Sequence, residues 1–429
     1  MNYLSTRGEA APAPLSGAIA AGLAPDGGLY VPETLPRFAV TDFDGAEELP
    51  QVAARLLAPF LAGDALAPEL AAICADALNL PAPLRPLADG HSFVLELFRG
   101  PTAAFKDFGA RFLAVAMARL GDGRTRTVLV ATSGDTGAAV AAAFHQRPGF
   151  RVVILYPDGK VSPRQAHQLG CFGDNVQALR VDGRFDDCQR LVKQALADPA
   201  LAAAHLTSAN SISLGRLLPQ MSYYALASLR HWRQTGRALG FIVPTGNLGN
   251  ALACLLARDC GLPVGPIVLA NNANRVLADF FHGADYTPRN SRATLANAMD
   301  VGAPSNFERL RWWYPDAAML RRQLAADWVA DAEIRDTIAR WHTEKGVVLC
   351  PHTACAARAL ERLRGAGDGR DYAIAATAHP AKFDSVVEPL IGAPVPVPPA
   401  LQALLDRAAS AEPMQTDYAA FKRTLHQLM

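Results

Sequence analysis

Seven short apolar runs, most of them separated by helix-like stretches, set the tightest limit on the fold. They are 92–97 (SFVLEL), 127–131 (TVLVA), 151–156 (RVVILY), 176–181 (VQALRV), 241–243, 267–270 and 372–376. Each is rich in β-branched or aliphatic side chains and too short for a buried helix. Between the first two, residues 105–120 carry apolar side chains at helical spacing. Strands alternating with helices need crossover connections, and those give an α/β fold with largely parallel sheets. A chain of 429 residues is too long for one ordinary core, so two or three domains are expected. Residues 1–90 read as a mostly helical region, with helical patches at 51–58 and 68–78. Residues 91–390 carry the strand-helix alternation, with a smaller unit at about 125–225 inside them. Residues 391–429 hold a proline-rich connection (PVPVPP, 394–399) and a last helix at about 400–409. No internal repeat is present.

Three loops follow predicted strands: Thr132-Ser-Gly-Asp-Thr-Gly137 after TVLVA, Thr245-Gly-Asn-Leu-Gly-Asn250 after FIVP, and Thr377-Ala-His-Pro380 after the last strand. The first two are glycine-rich and open a helix. That geometry presents free backbone N–H groups to an anion, and the helix dipole adds to the attraction. Neither is a Walker loop, because G-K-[ST] is missing, and neither is the dinucleotide fingerprint. The third places a hydroxyl at the carboxyl end of a strand, where ligands bind in such folds. Plain structural turns of the same composition are common, so no single loop decides the matter.

The stretch FRGPTAAFKDFGAR (98–111) sets Lys106 among phenylalanines at 105 and 108. Apolar surroundings disfavour the ammonium and lower a lysine's pKa. The neutral amine is then a nucleophile toward a carbonyl. An amine together with an anion cradle suits pyridoxal phosphate, an aldehyde that carries its own phosphate. The alternative is a lysine lying along a helix with its stem on the phenylalanines. On residue environment alone that alternative is the commoner case.

Composition excludes several classes. Half the residues are hydrophobic and 19% are charged, as in a well-packed globular protein. A net charge of +1 gives no general attraction to nucleic acid or anionic membranes. The N-terminus does not read as a secretory signal, and no run has the length to span a bilayer. The seven cysteines are odd in number, scattered and without a C-x-x-C, which suggests reduced thiols in the cytoplasm. Cys350-Pro-His352 with Cys355 has no second pair nearby to complete a zinc site, so no metal is expected.

Taken in order, FRGPTAAFKDFG, TSGDTGAA, PTGNLGN and TAHPAKF resemble threonine synthase, a family of fold type II pyridoxal-phosphate enzymes related to the tryptophan synthase β chain. The opening YLSTRG with GGLYVP, and AMDVGAPSNFER at 298–309, resemble its longer bacterial and fungal form. The resemblance runs to about residue 390. It implies two three-layer αβα units flanking a cofactor cleft, plus the helical N-terminal region. Lys106 matches the lysine that carries the cofactor. Gly246, Asn247, Leu248, Gly249 and Asn250 match the loop for its phosphate. Asp135 stands where shorter relatives have an asparagine near the 3-hydroxyl, a departure from their pattern. Thr377 matches the hydroxyl facing the pyridine nitrogen. Ser133, Thr136, Asn210, Ser211 and Arg216 match positions around the substrate's carboxylate and phosphate, and a guanidinium suits a phosphate because it can donate two bonds at once. The histidines at 145, 167, 352 and 379 are read as structural.

The reaction implied by the resemblance is O-phospho-L-homoserine plus water giving L-threonine and phosphate, by γ-elimination and β-addition, the last step of threonine biosynthesis. Its partners are that small molecule, with no nucleic acid and no membrane, in a monomer or small homo-oligomer. Two rivals stand beside it. One is another lyase on the same scaffold, such as a threonine or serine dehydratase or a phospho-amino-acid lyase. The other is a catalytically dead homologue acting as a binding protein. The phosphate-binding candidates argue against the dehydratases; the intact lysine, loops and threonine argue against a dead homologue.

Overall fold

The computed structural model describes residues 1–121 and 123–428. An antiparallel ribbon of β1 (Tyr3–Ser5) and β2 (Tyr30–Pro32) begins the chain. Around it lie α1 (Leu15–Ala21), α2 (Leu49–Leu57) and α3 (Leu70–Ala77). β3 (Leu84–Pro86) and β4 (Ser92–Glu96) start the larger sheet, and α4 (Lys106–Arg119) leaves it. The smaller sheet takes β5 (Arg126–Ala131), β6 (Phe150–Pro157), β7 (Val176–Val181) and β8 (Leu206–Ser208). Its crossovers contain α5 (Asp135–Phe144), α6 (Pro163–Gly170) and α7 (Phe185–Leu196). β9 (Leu239–Pro244), β10 (Val264–Asn271), β11 (Ala325–Trp328) and β12 (Tyr372–Ala376) return to the larger sheet. β13 (Glu412–Met414) adds an edge to the smaller one.

The larger sheet runs β11-β10-β9-β12-β4-β3, and the smaller runs β13-β7-β6-β5-β8. Only the β3–β4 pair is antiparallel; all other pairs in the two sheets are parallel. Every residue of β9 and β12 is buried, which accounts for their unbroken apolar runs. Helices cover the sheets with one apolar face. α7, for example, buries Cys188, Leu191, Val192 and Ala195. Each such aliphatic side chain taken from water contributes about 1.5–3 kcal/mol.

The seven expected strands are present, with ends within a few residues. β1, β2, β3, β8, β11 and β13 were not legible: at three or four residues they are too short to show a period, and β13 leaves two of its three residues exposed. The expected last helix is Pro399–Leu405, but the chain continues through β13 into a helix at Tyr418–Leu428. Phe421 and Leu425 of that helix join the apolar cluster that holds Leu179 and Val181 of the smaller sheet, and the helix packs on α7. Two apolar anchors four residues apart are a weak signal without the sheet they cover.

Parallel strands aim their carboxyl ends at one side. β5 ends into Thr132, β9 into Thr245 and β12 into Thr377. Backbone bonds then fix the Lys106 segment against the last of these. Leu97 N–H donates to Ala376 O (3.0 Å), Phe105 N–H to Thr377 O (2.8 Å) and His379 N–H to Ala103 O (3.0 Å).

Candidate active site

Lys106 is the first residue of α4 and lies at the floor of a cleft between the two sheets. Asp107 next to it holds the preceding turn: its carboxylate accepts from Thr102 Oγ1 (2.6 Å) and Thr102 N–H (3.0 Å). Burial lowers the Lys106 pKa to about 8; Asp135 opposes that shift, while Arg216 and Lys382 reinforce it. The amine is therefore far more available near neutral pH than that of a free lysine. Thr377, 5% exposed, shares the cleft, its backbone carbonyl bonded to Phe105 N–H.

The 245–250 loop forms the wall opposite. Leu248 adopts φ +65°, a conformation disfavoured for a branched side chain, and α8 (Gly249–Asp259) begins after it. Asn247 fixes the loop sideways. Its Nδ2 donates to Ser211 Oγ (2.7 Å), its Oδ1 accepts from Ser305 N–H, and Asn306 Nδ2 donates to its carbonyl (2.9 Å). In Asn250, Oδ1 accepts from Tyr223 and Tyr224 hydroxyls, which leaves the buried Nδ2 without a protein partner. Gly246 touches backbone: a Cβ there would sit 2.7 Å from Met299 Cα. A Gly246→Ala variant must displace the loop, at about 1–3 kcal/mol. Its affinity for pyridoxal phosphate, titrated by absorbance, is expected to fall roughly 5- to 150-fold. An unchanged affinity would show that the loop does not hold the phosphate.

Asp135 starts α5 and is 3% exposed. Its Oδ1 is 2.8 Å from Lys382 Nζ and accepts from Gln165 Nε2 at 3.0 Å. Burial raises its pKa, but Lys382 and Lys106 outweigh burial and hold the carboxyl well below the usual range. Ser133 and Thr136 line the same wall.

The outer part of the cleft is set by 210–216. Arg216, in the single turn Leu214–Leu217, is 2% exposed. Its Nη1 donates to Ala209 O (2.7 Å), and its Nε has no partner. Among the described residues no carboxylate pairs with it. Burial lowers its pKa to about 10, partly offset by Tyr223, so it stays charged at neutral pH. Asn210 Oδ1 nearby is also buried and unpartnered. A second buried arginine, Arg309, supports this segment and is fully satisfied. It donates to Tyr30 O (3.0 Å), Asn306 Oδ1 (2.7 Å) and Ile212 O (2.6 Å).

The structure thus brings every catalytic and binding candidate named from the sequence to one cleft. Sequence reading passed over Lys382 and Asp300. Lys382 is 0% exposed, and besides Asp135 it donates to Thr102 O at 2.8 Å. It lies inside TAHPAKF, but only its complete burial sets it apart from an ordinary surface lysine. Asp300, inside AMDVGAPSNFER, lines the cleft, and burial raises its pKa to about 7 against hydrogen bonds from Thr294 and Asn272. His352 lines the cleft too. Its Nε2 accepts from Ala298 N–H (3.1 Å), and burial lowers its pKa to about 4, so it is neutral and structural. His379 Nδ1 accepts from Ala381 N–H (3.2 Å) and caps a turn. Cys350 caps a helix, with Sγ accepting from Thr353 N–H at 3.4 Å.

These residues fit pyridoxal phosphate. Arg216 Nε and Asn250 Nδ2 are buried donors without acceptors, and an orphaned buried donor costs about 1–3 kcal/mol unless something fills the place. Gly249 heads a helix at the cleft, and a Cβ there would meet no protein atom closer than 3.6 Å, so its absence leaves room for a ligand. An amine of lowered pKa faces the same space.

Comparison with known proteins agrees with this chemistry. Residues 80–377 match the model of the pyridoxal-phosphate dependent enzyme family. Residues 2–78 match the threonine synthase N terminus, and residues 353–425 the threonine synthase C-terminal family. The threonine synthase of Serratia marcescens is 41% identical over 388 residues, 90% of this chain and 89% of that protein. The crystal structure of threonine synthase from Escherichia coli superimposes with a TM-score of 0.91 at 35% identity, covering 100% of both chains. The PLP-bound threonine synthase from Brucella melitensis gives 0.90 at 34% identity, covering 100% of this chain and 99% of that one.

Proposed function

From the premise that the chain belongs to the threonine synthase family, we propose the following roles for its residues. The protein is a pyridoxal-phosphate-dependent threonine synthase, converting O-phospho-L-homoserine and water to L-threonine and phosphate. When bound at Lys106, the cofactor supplies a conjugated ring that delocalises the electrons left when a proton leaves the substrate. Gly246 to Asn250 would hold its phosphate through backbone N–H groups, the α8 N-terminus and the free Asn250 Nδ2. Asp135 would face its 3-hydroxyl. Thr377 would face its ring nitrogen, where a neutral hydroxyl would leave the ring a milder electron sink than an aspartate.

Lys106 is the acid and base. Its amine would take the proton from the substrate Cα and would serve the neighbouring carbons whose protons are also exchanged. Arg216, Asn210 and Ser211 orient the phosphate that leaves Cγ, while Ser133 and Thr136 hold the carboxylate. The observation that carries this assignment is the buried, unpaired guanidinium of Arg216 in the same cleft as an amine of lowered pKa. A dehydratase acting on an unphosphorylated substrate has no use for that charge.

The same reading divides the chain at 1–90, 91–390 and 391–429, with the smaller unit at about 125–225. It also assigns the protein to the cytoplasm as a monomer or small homo-oligomer. Seven free, buried cysteines suit a reducing compartment, and no helix among the described residues is long and apolar enough to cross a membrane. The test is product stoichiometry. The protein with pyridoxal phosphate is expected to release phosphate and threonine in equal amounts from O-phospho-L-homoserine. Phosphate without threonine would refute the water-addition step.

A further inference from the structure

Two lysines serve one carboxylate in this site, and only one of them is free to do chemistry. Lys382 follows β12, is 0% exposed, and sits 2.8 Å from Asp135 Oδ1 and 2.8 Å from Thr102 O. It therefore touches both α5 and the turn that presents Lys106. Its surroundings leave no slack. Ser162 Oγ donates to its carbonyl (2.9 Å), Arg164 Nη1 to Ala381 O (2.5 Å), and Arg164 pairs with Asp384 (3.1 Å). Gln165, which donates to Asp135, is held in turn by Asn297 Nδ2 (3.0 Å).

We propose that Lys382 is a positioning residue for the Lys106 amine: by occupying Asp135 it keeps that carboxylate from holding Lys106 as an ammonium. The inference rests on Lys106 as the amine that receives the cofactor. The charged and titratable groups around Lys106 come from every element packed on it: Asp135 from α5, Arg216 from its turn, Lys382 from the turn after β12, and the neutral His352 from Pro351–Gly365. Asp107, beside it in α4, is turned back onto Thr102. Asp135 is the one negative group acting strongly on the amine, and Lys382 is its nearest counter-ion. With Lys382 gone, Asp135 would take Lys106 as its partner. The proton would stay on the amine, and capture of an aldehyde at neutral pH would slow.

The test uses the full-length chain freed of cofactor, with pyridoxal phosphate as the probe. The rate of the absorbance rise is followed against pH. The wild type is expected to show a midpoint near 8. Lys382→Met should raise that midpoint by a unit or more, about tenfold slower capture at pH 7. Asp135→Asn should lower it. The double variant should return toward the wild type, because the added proton affinity and its cause are removed together. A purely structural role for Lys382 would reduce the yield of folded protein without moving the midpoint. If Lys382→Met does not fold, Asp135→Asn and the double variant carry the same comparison. Midpoints unmoved in the folded variants overturn the proposal. A wild type that never gains absorbance overturns the cofactor assignment instead, so the two failures are distinct.

Discussion

The Lys106→Ala protein is expected to stay colourless with pyridoxal phosphate and to release phosphate and threonine at least about 10³-fold more slowly than the wild type. The size follows from two losses at one atom. The amine is the covalent attachment point for the cofactor, and it is also the base that takes the substrate's Cα proton. Removal of a general base alone costs about 10²–10⁴-fold. Folding should survive, because among the described residues the head of Lys106 has no hydrogen-bond partner, and its neighbours Asp107 and Phe108 anchor α4 without it. Circular dichroism and thermal unfolding therefore serve as the control, and they should match the wild type closely. A yellow Lys106→Ala protein with substantial turnover would place the reaction elsewhere.

The second large effect is expected at Arg216. Arg216→Met leaves a substrate phosphate in a buried pocket without its guanidinium. Truncating one partner of a buried, hydrogen-bonded charge pair costs about 2–5 kcal/mol. That corresponds to a loss of roughly 30- to 5,000-fold in kcat/KM for O-phospho-L-homoserine. Arg216→Lys should recover only part of it, since an ammonium cannot donate two parallel bonds. Threonine itself carries no phosphate, so its binding should weaken much less, and that contrast separates an anion-binding role from general damage. Removing Arg216 also frees the Ala209 carbonyl, which Nη1 holds at 2.7 Å. One buried carbonyl left unpaired accounts for about 1–3 kcal/mol of stability and for none of the selectivity. Equal losses for threonine and the phosphorylated substrate would make Arg216 a structural residue.

The energetics of the site turn on burial. An exposed pair such as Arg7–Glu308 contributes little, because water screens it and the side chains lose freedom. Asp135–Lys382 is different: both groups are out of water, and leaving either alone costs about 3–5 kcal/mol. The same reasoning separates the two buried arginines. Arg309 is spent entirely on protein acceptors, so it is structural. Arg216 lines the cleft and keeps a buried Nε without a protein partner.

Much of this was legible in the chain alone. Strands buried on both faces, such as β9 and β12, must be apolar throughout, so they stand out as unbroken runs. The loops after them carry glycine where a backbone needs to approach closely, as Gly246 does to Met299, and that requirement is written in the residue type. Lys106 was legible through its apolar neighbours. What stayed hidden shares one physical reason. Strands of three residues, such as β8 and β13, owe their form to the neighbour that pairs with them and not to any period of their own. Lys382 and Asp300 look like ordinary polar residues in their own segments.

The sequence by itself determined the α/β alternation, the three loops at strand ends and the amine beside them, because each depends on residues within one short segment. Only the tertiary structure decided which charge faces which. Asp135 meets Lys382 and not a solvent ion because α5 and the turn after β12 converge behind Lys106, and a charge inside a protein takes its character from whatever the fold brings within about 3 Å of it.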